Sequence, residues 1–580
     1  MSKIDLINEH FKLPIFYNKE KNILKENIIQ DLELVKTLDP SCNSIYNHFF
    51  NQHDKLSQEK NILSEKITEQ ISQYYTNDTY FLKDTQNLLK SYKSLEITET
   101  GTMLEVWNEV KEDTGFKDKY HYIDWKMMEH LNYSDSFLQI LSVYTMASPV
   151  LSLLTPLIIL IIPFFIIKLK GLELSVGEYM DIIKLIISNH AIGKVSQLFT
   201  DFNSVTLEQK LYIVLSTGFY LFSIYQNITT CIKFHHNMIK IHHHFETINN
   251  YLKESILKMK YFLNQSNHLL SYQEFNQVLK EKINILENYK KKIDVIGKYS
   301  FSLRKIMGIG IILKNFYEFY DNVELNNAFL YSFGFNGYYV CLEGLVTNIK
   351  RNHIHFVKFS KKKGKNVFKG SYYCPLMHNN VVKNDVSLKN NLIITGPNAS
   401  GKTTVLKTTL INIILSQQFG CGTYKSGKLY PYKHIHCYLN IPDTSGRDSL
   451  FQSEVRRCKE IIQMITDNSE DTHFCVFDEL YSGTNPEEAV LSSTAFMEYI
   501  IKYKNVFSIL TTHFIQVCHN LDKNERINNY HMDVCPNEKS WKYTYTLKPG
   551  ISEVKGGLKV LHDMNYPQEI MDKLEKKNKL

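Results

Sequence analysis

The chain has 580 residues, 43% of them hydrophobic and 22% charged, with a formal net charge of +7. Such a composition suits a globular protein, and the length excludes a single hydrophobic core, so roughly three or four structural units are expected. The mildly basic charge permits a polyanionic partner without requiring one.

The ten cysteines are scattered and form no C-x-x-C pair. They therefore suggest neither a zinc site nor a disulfide framework, and a reducing compartment is the simplest reading. The N-terminal residues Met1 to Asp5 are polar and lack the basic and then apolar profile of a signal peptide.

Residues 1–135 are polar and show helix-period apolar positions, which predict an N-terminal helical region without catalytic motifs. The next segment, 136–232, contains two uncharged stretches, and we expect membrane spans at about 147–167 and 211–232. Two spans would form a hairpin, and the basic residues after the second favour a cytoplasmic C-terminal side. The alternative is a pair of buried core helices in a soluble intracellular protein.

Residues 233–350 return to a helical rhythm, which predicts a lever or core region with a second long helix from Tyr272 to about Ile296. A histidine cluster in this region either binds a metal ion or lies on a hydrated helix surface. Its members are His235, His236, His242, His243 and His244.

Around 351–373 the hydrophobic period changes to two, and segments 353–359 and 366–369 flank a lysine-rich turn at 361–365. This pattern predicts a β-hairpin with a basic tip. We expect a final domain to begin near residue 351 and to run to residue 580. The basic tip either touches an anionic surface or is a solvated turn.

A glycine-rich segment follows the apolar run 392–394 and precedes a predicted helix at 405–417. Its pattern, G-x-x-x-x-G-K-[ST], is that of a P-loop, whose backbone N–H groups form an anion-binding nest at a helix start. Lys402 should reach the β- and γ-phosphates of a nucleotide, and the Thr403 hydroxyl should bind Mg²⁺. The predicted nucleotide-binding residues here are Gly396, Pro397, Asn398, Ala399, Ser400, Gly401, Lys402, Thr403 and Thr404.

Two further apolar strands end in residues that suit ATP hydrolysis. The strand at 474–477 ends in Asp478 and Glu479, which we expect to hold Mg²⁺ and to activate the attacking water, respectively. The strand at 506–510 ends near His513, which could contact the γ-phosphate or that water. Ser449 begins a predicted helix and could offer its hydroxyl and N–H to a phosphate, or simply cap the helix.

Together these motifs resemble the ATPase domain of the MutS family of DNA mismatch-repair proteins, over about residues 375–575. The transporter-type L-S-G-G-Q motif is absent from the sequence. The matching segments, in chain order, are T-G-P-N at 395–398, G-K-T-T at 401–404, S-L-F-x-x-E at 449–454, D-E-L at 478–480, G-T at 483–484, T-H-F at 512–514, Y-T-L-K-P-G at 545–550 and G-G-L-K-V at 556–560.

The resemblance implies an α/β P-loop NTPase domain of the ABC and MutS type, preceded by mostly helical arms and levers. It implies ATP as substrate, Mg²⁺ as cofactor and a homodimer in which Ser449 completes the partner subunit's site. The family's adenine pocket corresponds to 381–385 and includes Asn384, but the usual aromatic residue there is valine. The apolar stretches resemble those of a divergent membrane-spanning branch.

Two functions remain open at this point. The first is a DNA-binding clamp of the mismatch-repair type that is switched by ATP and tethered to a membrane. The second is a membrane mechanoenzyme that uses the same dimer switch on a protein or lipid partner without DNA. The mispair-reading Phe-x-Glu wedge of the family has no clear counterpart in the N-terminal region.

Overall fold

The computed structural model describes residues 3–50, 58–93, 95, 102–171, 175–189, 206–297, 306–379, 381–439, 449–537 and 540–552, with 554, 561, 564 and 566–571 beyond them. Up to residue 350 the described chain is mainly helical. Its α-helices there are α1 (Ile7–His10), α2 (Glu26–Asp31), α3 (Ile45–Phe49), α4 (Gln58–Ile71), α5 (Thr79–Ser91), α6 (Met103–Glu112), α7 (Phe116–Lys119), α8 (Asp135–Leu169), α9 (Val176–Asn189), α10 (Leu207–Ser266), α11 (Gln273–Asp294), α12 (Ile309–Asp321) and α13 (Val323–Lys350).

After residue 350 the described chain is mixed α/β, as the sequence predicted. Its helices are α14 (Lys402–Phe419), α15 (Leu450–Asp467), α16 (Pro486–Ile501) and α17 (Ile515–Leu521). The strands of the whole described chain are β1 (Lys21–Ile23), β2 (Tyr74–Thr76), β3 (His355–Phe359), β4 (Asn366–Ser371), β5 (Asn384–Leu388), β6 (Asn391–Thr395), β7 (Cys421–Gly422), β8 (Ser426–Leu429), β9 (His434–Tyr438), β10 (His473–Asp478), β11 (Val506–Thr511), β12 (Ile527–Asn537) and β13 (Ser540–Pro549).

A six-stranded sheet, in the order β13-β12-β6-β11-β10-β9, carries the P-loop. All its neighbours are parallel except β12 and β13, which are antiparallel. The central strands are uninterrupted apolar runs, such as Leu392 to Ile394, because helices cover both faces of the sheet. The carboxyl ends of β6, β10 and β11 therefore meet at one edge, where ligands bind in open α/β sheets.

Helix α14 follows β6 and is buried along most of its length. On the other side, α15, α16 and α17 pack on the sheet through one apolar cluster that includes Ile461, Met497 and Val517. This packing on both faces fixes the strand ends and therefore the loops that follow them.

A second sheet, in the order β5-β4-β8-β3-β7, corrects one prediction from the sequence. Strands β3 and β4 exist where period two indicated them, but they do not form a hairpin. Strand β8 lies between them, parallel to β3 and antiparallel to β4. The lysine-rich connection at 361–365 therefore passes over the end of β8. Sequence periodicity cannot reveal such an insertion, because β8 comes more than fifty residues later in the chain.

Helices α8 and α10 contain the two uncharged stretches and contact each other. The Tyr220 hydroxyl donates to the Ser152 carbonyl oxygen at 3.2 Å, and Cys231 Sγ lies 3.8 Å from the Met146 carbonyl oxygen. Many of their described apolar side chains are exposed, including Phe165 at 59% and Phe219 at 71%. These side chains are therefore not in a packed core.

By length and composition, one helical segment in the described part of the chain could cross a bilayer, Asp135–Thr155. It begins earlier than the first predicted span and overlaps it from residue 147. The second predicted span, 211–232, is helical within α10 but does not meet the same criterion. The predicted hairpin of two spans is therefore not supported. The polar residues Gln226 and Asn227, with several tyrosines, lower the hydrophobicity of that stretch.

Contacts divide the chain into two compact units. One comprises residues 1–99, 255–284 and 328–580, and the other comprises 100–254 and 285–327. Both units are built from separate stretches of the chain, so this division does not test the four consecutive segments predicted from the sequence. Those four segments stay a prediction.

The histidine-rich part of α10 is not a uniform surface. His242 and His244 are buried, whereas His235, His236 and His243 are exposed. Across the part of the chain that the structure describes, no cluster of histidine, cysteine or acidic residues is arranged to hold a metal ion.

Candidate functional site

The loop between β6 and α14 has a backbone that only certain residues adopt easily. Gly396 and Gly401 have φ angles of 151° and 96°, in regions that residues with a Cβ avoid. Ala399 also has a positive φ, 63°, which costs a residue with a side chain about 1–2 kcal/mol. Such strain is typical of loops built for a ligand rather than for stability. The loop also buries the hydroxyl of Ser400, which has no hydrogen-bond partner among the residues that the structure describes.

Lys402 is the first residue of α14 and is only 5% exposed. Its Nζ donates to the carbonyl oxygens of Gly396 at 2.9 Å and Pro397 at 3.3 Å, and lies 3.9 Å from Glu479 Oε1. Burial lowers the pKa of Lys402, while Glu479 and Asp478 raise it. A buried ammonium inside a loop of backbone N–H groups is suited to a polyanion such as a triphosphate.

Asp478 ends β10 and lies beside the start of α14. The hydroxyl of Thr403 donates to both of its carboxylate oxygens, at 3.1 and 3.0 Å, and the hydroxyl of Thr511 donates to Oδ1. A carboxylate and a hydroxyl in contact are hard oxygen ligands of the kind that Mg²⁺ prefers. The structure therefore brings together the two residues that the sequence assigned to the metal.

Glu479 follows Asp478 and has a left-handed backbone, with φ at 52°. Its Oε1 lies 3.6 Å from Nδ1 of His513, which follows β11. His513 lowers the pKa of Glu479 most, burial raises it, and Lys402 lowers it further. A carboxylate kept ionised at the mouth of the cavity can orient a water molecule and accept its proton.

Lys402, Thr403 and Glu479 line a cavity of about 540 Å³. Its lining extends from the P-loop to side chains that could enclose a nucleotide base, among them Val381, Val382, Met532 and Tyr545. Tyr545 is an aromatic residue that the sequence interpretation missed in this role. Its ring lies close to Gly401, 3.3 Å from where a β-carbon at that position would be. The sequence could have pointed to Tyr545, because it is the tyrosine of the Y-x-L segment, two residues before Leu547.

Asn384 lines the same cavity, but its amide is already bonded to β13. Its Nδ2 donates to the Tyr545 carbonyl oxygen at 3.0 Å, and its Oδ1 accepts from the Leu547 N–H at 2.8 Å. Tyr545 has a positive φ, 57°, which these two bonds stabilise. Asn384 therefore positions Tyr545, and its direct contact with a nucleotide stays a prediction.

Ser449 caps α15 and lies outside the residues that line this cavity. Its Oγ accepts from the Gln452 N–H at 3.2 Å, and its own N–H donates to Gln452 Oε1 at 3.0 Å. This is a capping box, which satisfies two N–H groups at the helix start. The predicted contact of Ser449 with a second subunit's nucleotide stays a prediction. The segment 556–560, also matched from the sequence, lies outside the described residues.

Glu454 has a structural role that the sequence did not reveal. It is 2% exposed and accepts hydrogen bonds from Ser482 N–H, Ser482 Oγ and Gly483 N–H, at 3.1 to 3.2 Å. It therefore connects α15 to the loop that follows Glu479. The close approach of that loop to Leu450 and Phe451 leaves no room for a side chain at Gly483.

We expect Glu454→Ala to lower the free energy of unfolding by about 1–3 kcal/mol, because it removes the three hydrogen bonds that this buried carboxylate accepts. Urea denaturation followed by circular dichroism measures this change. Glu460→Ala is the matched control, since Glu460 lies on the same helix in an exposed pair with Arg457 and should change stability little. Equal effects of the two substitutions would contradict the assigned role.

Comparison with known proteins relates the part of the chain that carries this site to one protein family. Residues 392–580 match the family model for MutS domain V. The chain is 32% identical over 193 residues to human MutS protein homolog 4, covering 31% of this chain and 20% of that protein. It is 28% identical over 184 residues to the DNA mismatch repair protein MutS of Persephonella marina, with 31% and 20% covered. It is 30% identical over 186 residues to Endonuclease MutS2 of Fusobacterium nucleatum, with 31% and 23% covered. The chain thus spans about a fifth of these relatives.

Proposed function

We infer from the membership of residues 392–580 in the MutS domain V family that this chain binds ATP and hydrolyses it. The observation that carries the proposal is the meeting of Lys402, Thr403, Asp478 and Glu479 at one sheet edge, beside a cavity of nucleotide size. Each of these side chains has the chemistry that transfer of a phosphoryl group to water requires.

The P-loop binds the phosphates. On binding, the Lys402 ammonium exchanges the carbonyl oxygens of Gly396 and Pro397 for phosphate oxygens, and the unpartnered Ser400 hydroxyl gains an acceptor. Thr403 and Asp478 would hold Mg²⁺, which neutralises phosphate charge when it is bound. Tyr545, whose ring lies beside Gly401, stacks on the base, in place of the aromatic residue missing at 381–382.

Glu479 acts as the general base. Its lowered pKa keeps the carboxylate ionised, so it can orient a water molecule and accept the proton that the attack releases. His513 stabilises the ionised form from 3.6 Å away. It is therefore a positioning residue for the base in this copy of the chain.

We expect His513→Gln to raise the pKa of Glu479, since the largest cause of its lowering is removed. A base with a lowered pKa stays active as the pH falls, so the acid limb of kcat against pH should move to higher pH in the variant. Steady-state ATPase assays across the acid range measure this shift. His519→Gln changes an exposed histidine on nearby α17 and should leave the profile where it is. An unmoved limb in His513→Gln would contradict the pairing.

The proposed assembly is a homodimer whose ATP-bound form brings Ser449 of one copy to the nucleotide of the other. DNA is the proposed partner, because the relatives named above include DNA mismatch repair proteins. We expect duplex DNA to change the ATPase rate of the purified protein. An unchanged rate together with no gel shift would count against DNA and favour the alternative, a mechanoenzyme that acts on a protein or lipid partner.

Membrane contact through α8 and α10 is a separate part of the proposal. It is supported by the exposed apolar side chains along both helices, because contiguous exposed apolar patches mark sites of interaction with proteins or membranes. Recovery in the membrane pellet after alkaline carbonate extraction is the expected result. Release into the supernatant would overturn this part and would leave the nucleotide chemistry unaffected.

A further inference from the structure

The outward face of the five-stranded sheet carries lysines on three adjacent strands. The inward residues Val357, Phe368 and Leu429 are buried, so the alternate positions point outward. Lys358 of β3 is the register partner of Lys428 of β8, and Lys369 of β4 pairs with Ser426 of β8. Lys358 therefore lies directly opposite Lys428 on one neighbouring strand, and Lys369 lies diagonally from it on the other. All three lysines are exposed.

Five more exposed lysines lie in the connections next to these strands. One lies in the turn before β8 and four lie in the connection between β3 and β4. We call the whole set the basic face: Lys358, Lys361, Lys362, Lys363, Lys365, Lys369, Lys425 and Lys428.

The basic face is not neutralised from within the chain. Among the described residues, Lys358, Lys369 and Lys428 have no ion pair, although like charges opposite each other on a sheet destabilise it. Asp385 is the single acid at the outward strand positions, and its Oδ1 accepts from the Gly370 N–H at 2.7 Å.

The side chains of the basic face favour phosphates of a nucleic acid over a lipid surface. Stable membrane binding by a basic patch needs an apolar anchor beside it. The outward apolar residues of these strands, Phe356 and Val367, are half-buried, and Lys90 Nζ lies 5.0 Å from the centre of the Phe356 ring. The face contains lysine but no arginine, which suits contact with phosphates rather than bidentate reading of bases.

The spacing also suits a duplex. Neighbouring strands lie about 4.8 Å apart and outward side chains on one strand about 7 Å apart. Duplex DNA presents one phosphate per about 1.7 Å of its axis, so several of these ammonium groups can reach phosphates together. We propose that the basic face binds the backbone of duplex DNA without sequence preference. The choice of DNA as the polyanion rests on the proposed function, whereas the location rests on the lysines themselves.

The test measures fluorescence anisotropy of a labelled duplex with the full chain between 50 and 200 mM salt. The variant is Lys358→Gln, Lys369→Gln and Lys428→Gln together. Each phosphate contact contributes about −0.9 to the slope of log K against log salt, so this slope should become shallower by about 3. Affinity at 50 mM salt should fall about tenfold or more, for every duplex sequence.

The matched control removes the same charge from helices elsewhere, as Lys253→Gln, Lys280→Gln and Lys291→Gln, all exposed positions. It should bind DNA like the parent. Replacing the three basic-face lysines with arginine should retain binding, which separates charge from folding. ATP affinity, measured on the same samples with a fluorescent analogue, should be equal throughout.

Equal weakening in both glutamine variants would overturn the proposal, as would a parent protein that binds ATP but no duplex. In that last case the nucleotide assignment stands and DNA fails as the partner, whereas equal weakening refutes only the location. Flotation with vesicles of anionic lipid is run in parallel. Loss of vesicle binding in the basic-face variant, without loss of duplex binding, would assign this surface to a membrane instead.

Discussion

Replacing Glu479 with glutamine is expected to lower kcat for ATP hydrolysis by about 10²- to 10⁴-fold while ATP still binds. Glutamine has nearly the same shape but cannot accept the proton of the attacking water. The P-loop contacts are made by Lys402 and the loop backbone, so affinity should be preserved or slightly increased. In the parent protein Glu479 Oε1 lies 3.9 Å from Lys402 Nζ and competes with the phosphates for this ammonium group. The substitution removes that competing negative charge.

Single-turnover hydrolysis and fluorescent-nucleotide titration separate these two quantities. Glu487→Gln provides the control, because Glu487 is an exposed residue in the first turn of α16. It should hydrolyse ATP at the parent rate. If Glu479→Gln hydrolyses at the parent rate too, the base must be another residue. The variant should also accumulate the ATP-bound dimer, which size-exclusion chromatography with light scattering detects.

Replacing Lys402 with methionine is expected to abolish measurable ATP binding at micromolar nucleotide. The substitution keeps most of the buried stem but removes the ammonium that bonds to Gly396 and Pro397 and that should meet the phosphates. A hydrogen bond to a charged group contributes about 1.5–3 kcal/mol, and the Coulomb attraction to a triphosphate adds to it. An affinity loss of about 100-fold or more follows.

Isothermal titration with ATP and Mg²⁺ measures this loss, and thermal unfolding checks that the variant is folded. Lys407→Met, on the same helix, is the control and should bind ATP normally. Unchanged affinity in Lys402→Met would show that the loop does not hold the triphosphate.

The residues of the candidate site were identifiable from the sequence because local patterns encode them. A P-loop needs glycines at fixed spacings, and an acid pair ends an apolar strand, so the structure confirms the proximity of Thr403 and Asp478 that these patterns predicted. The helices predicted at 405–417 and 272–296 are also present, as α14 and α11, because long periodic runs are dependable.

Contacts between residues that lie far apart in the sequence could not be predicted from local patterns. The hairpin prediction for 353–369 was wrong because β8, far along the chain, inserts between β3 and β4. Tyr545 and Glu454 were overlooked as parts of the site's framework, since nothing in their local sequence tells which loop or which amide they meet. The second apolar stretch illustrates another limit: a run without charge predicts a helix well, but not its surroundings.

The bonds from Glu454 to the loop at 482–483 have a mechanical consequence. Glu454 lies little more than one helical turn after Ser449, and the loop that it bonds to begins three residues after Glu479, the proposed base. Hydrogen bonds thus join the proposed site of hydrolysis to the helix tip that we propose to meet the neighbouring copy. We expect release of the γ-phosphate in one subunit to displace that helix tip. The other subunit's site would then respond to hydrolysis in its neighbour.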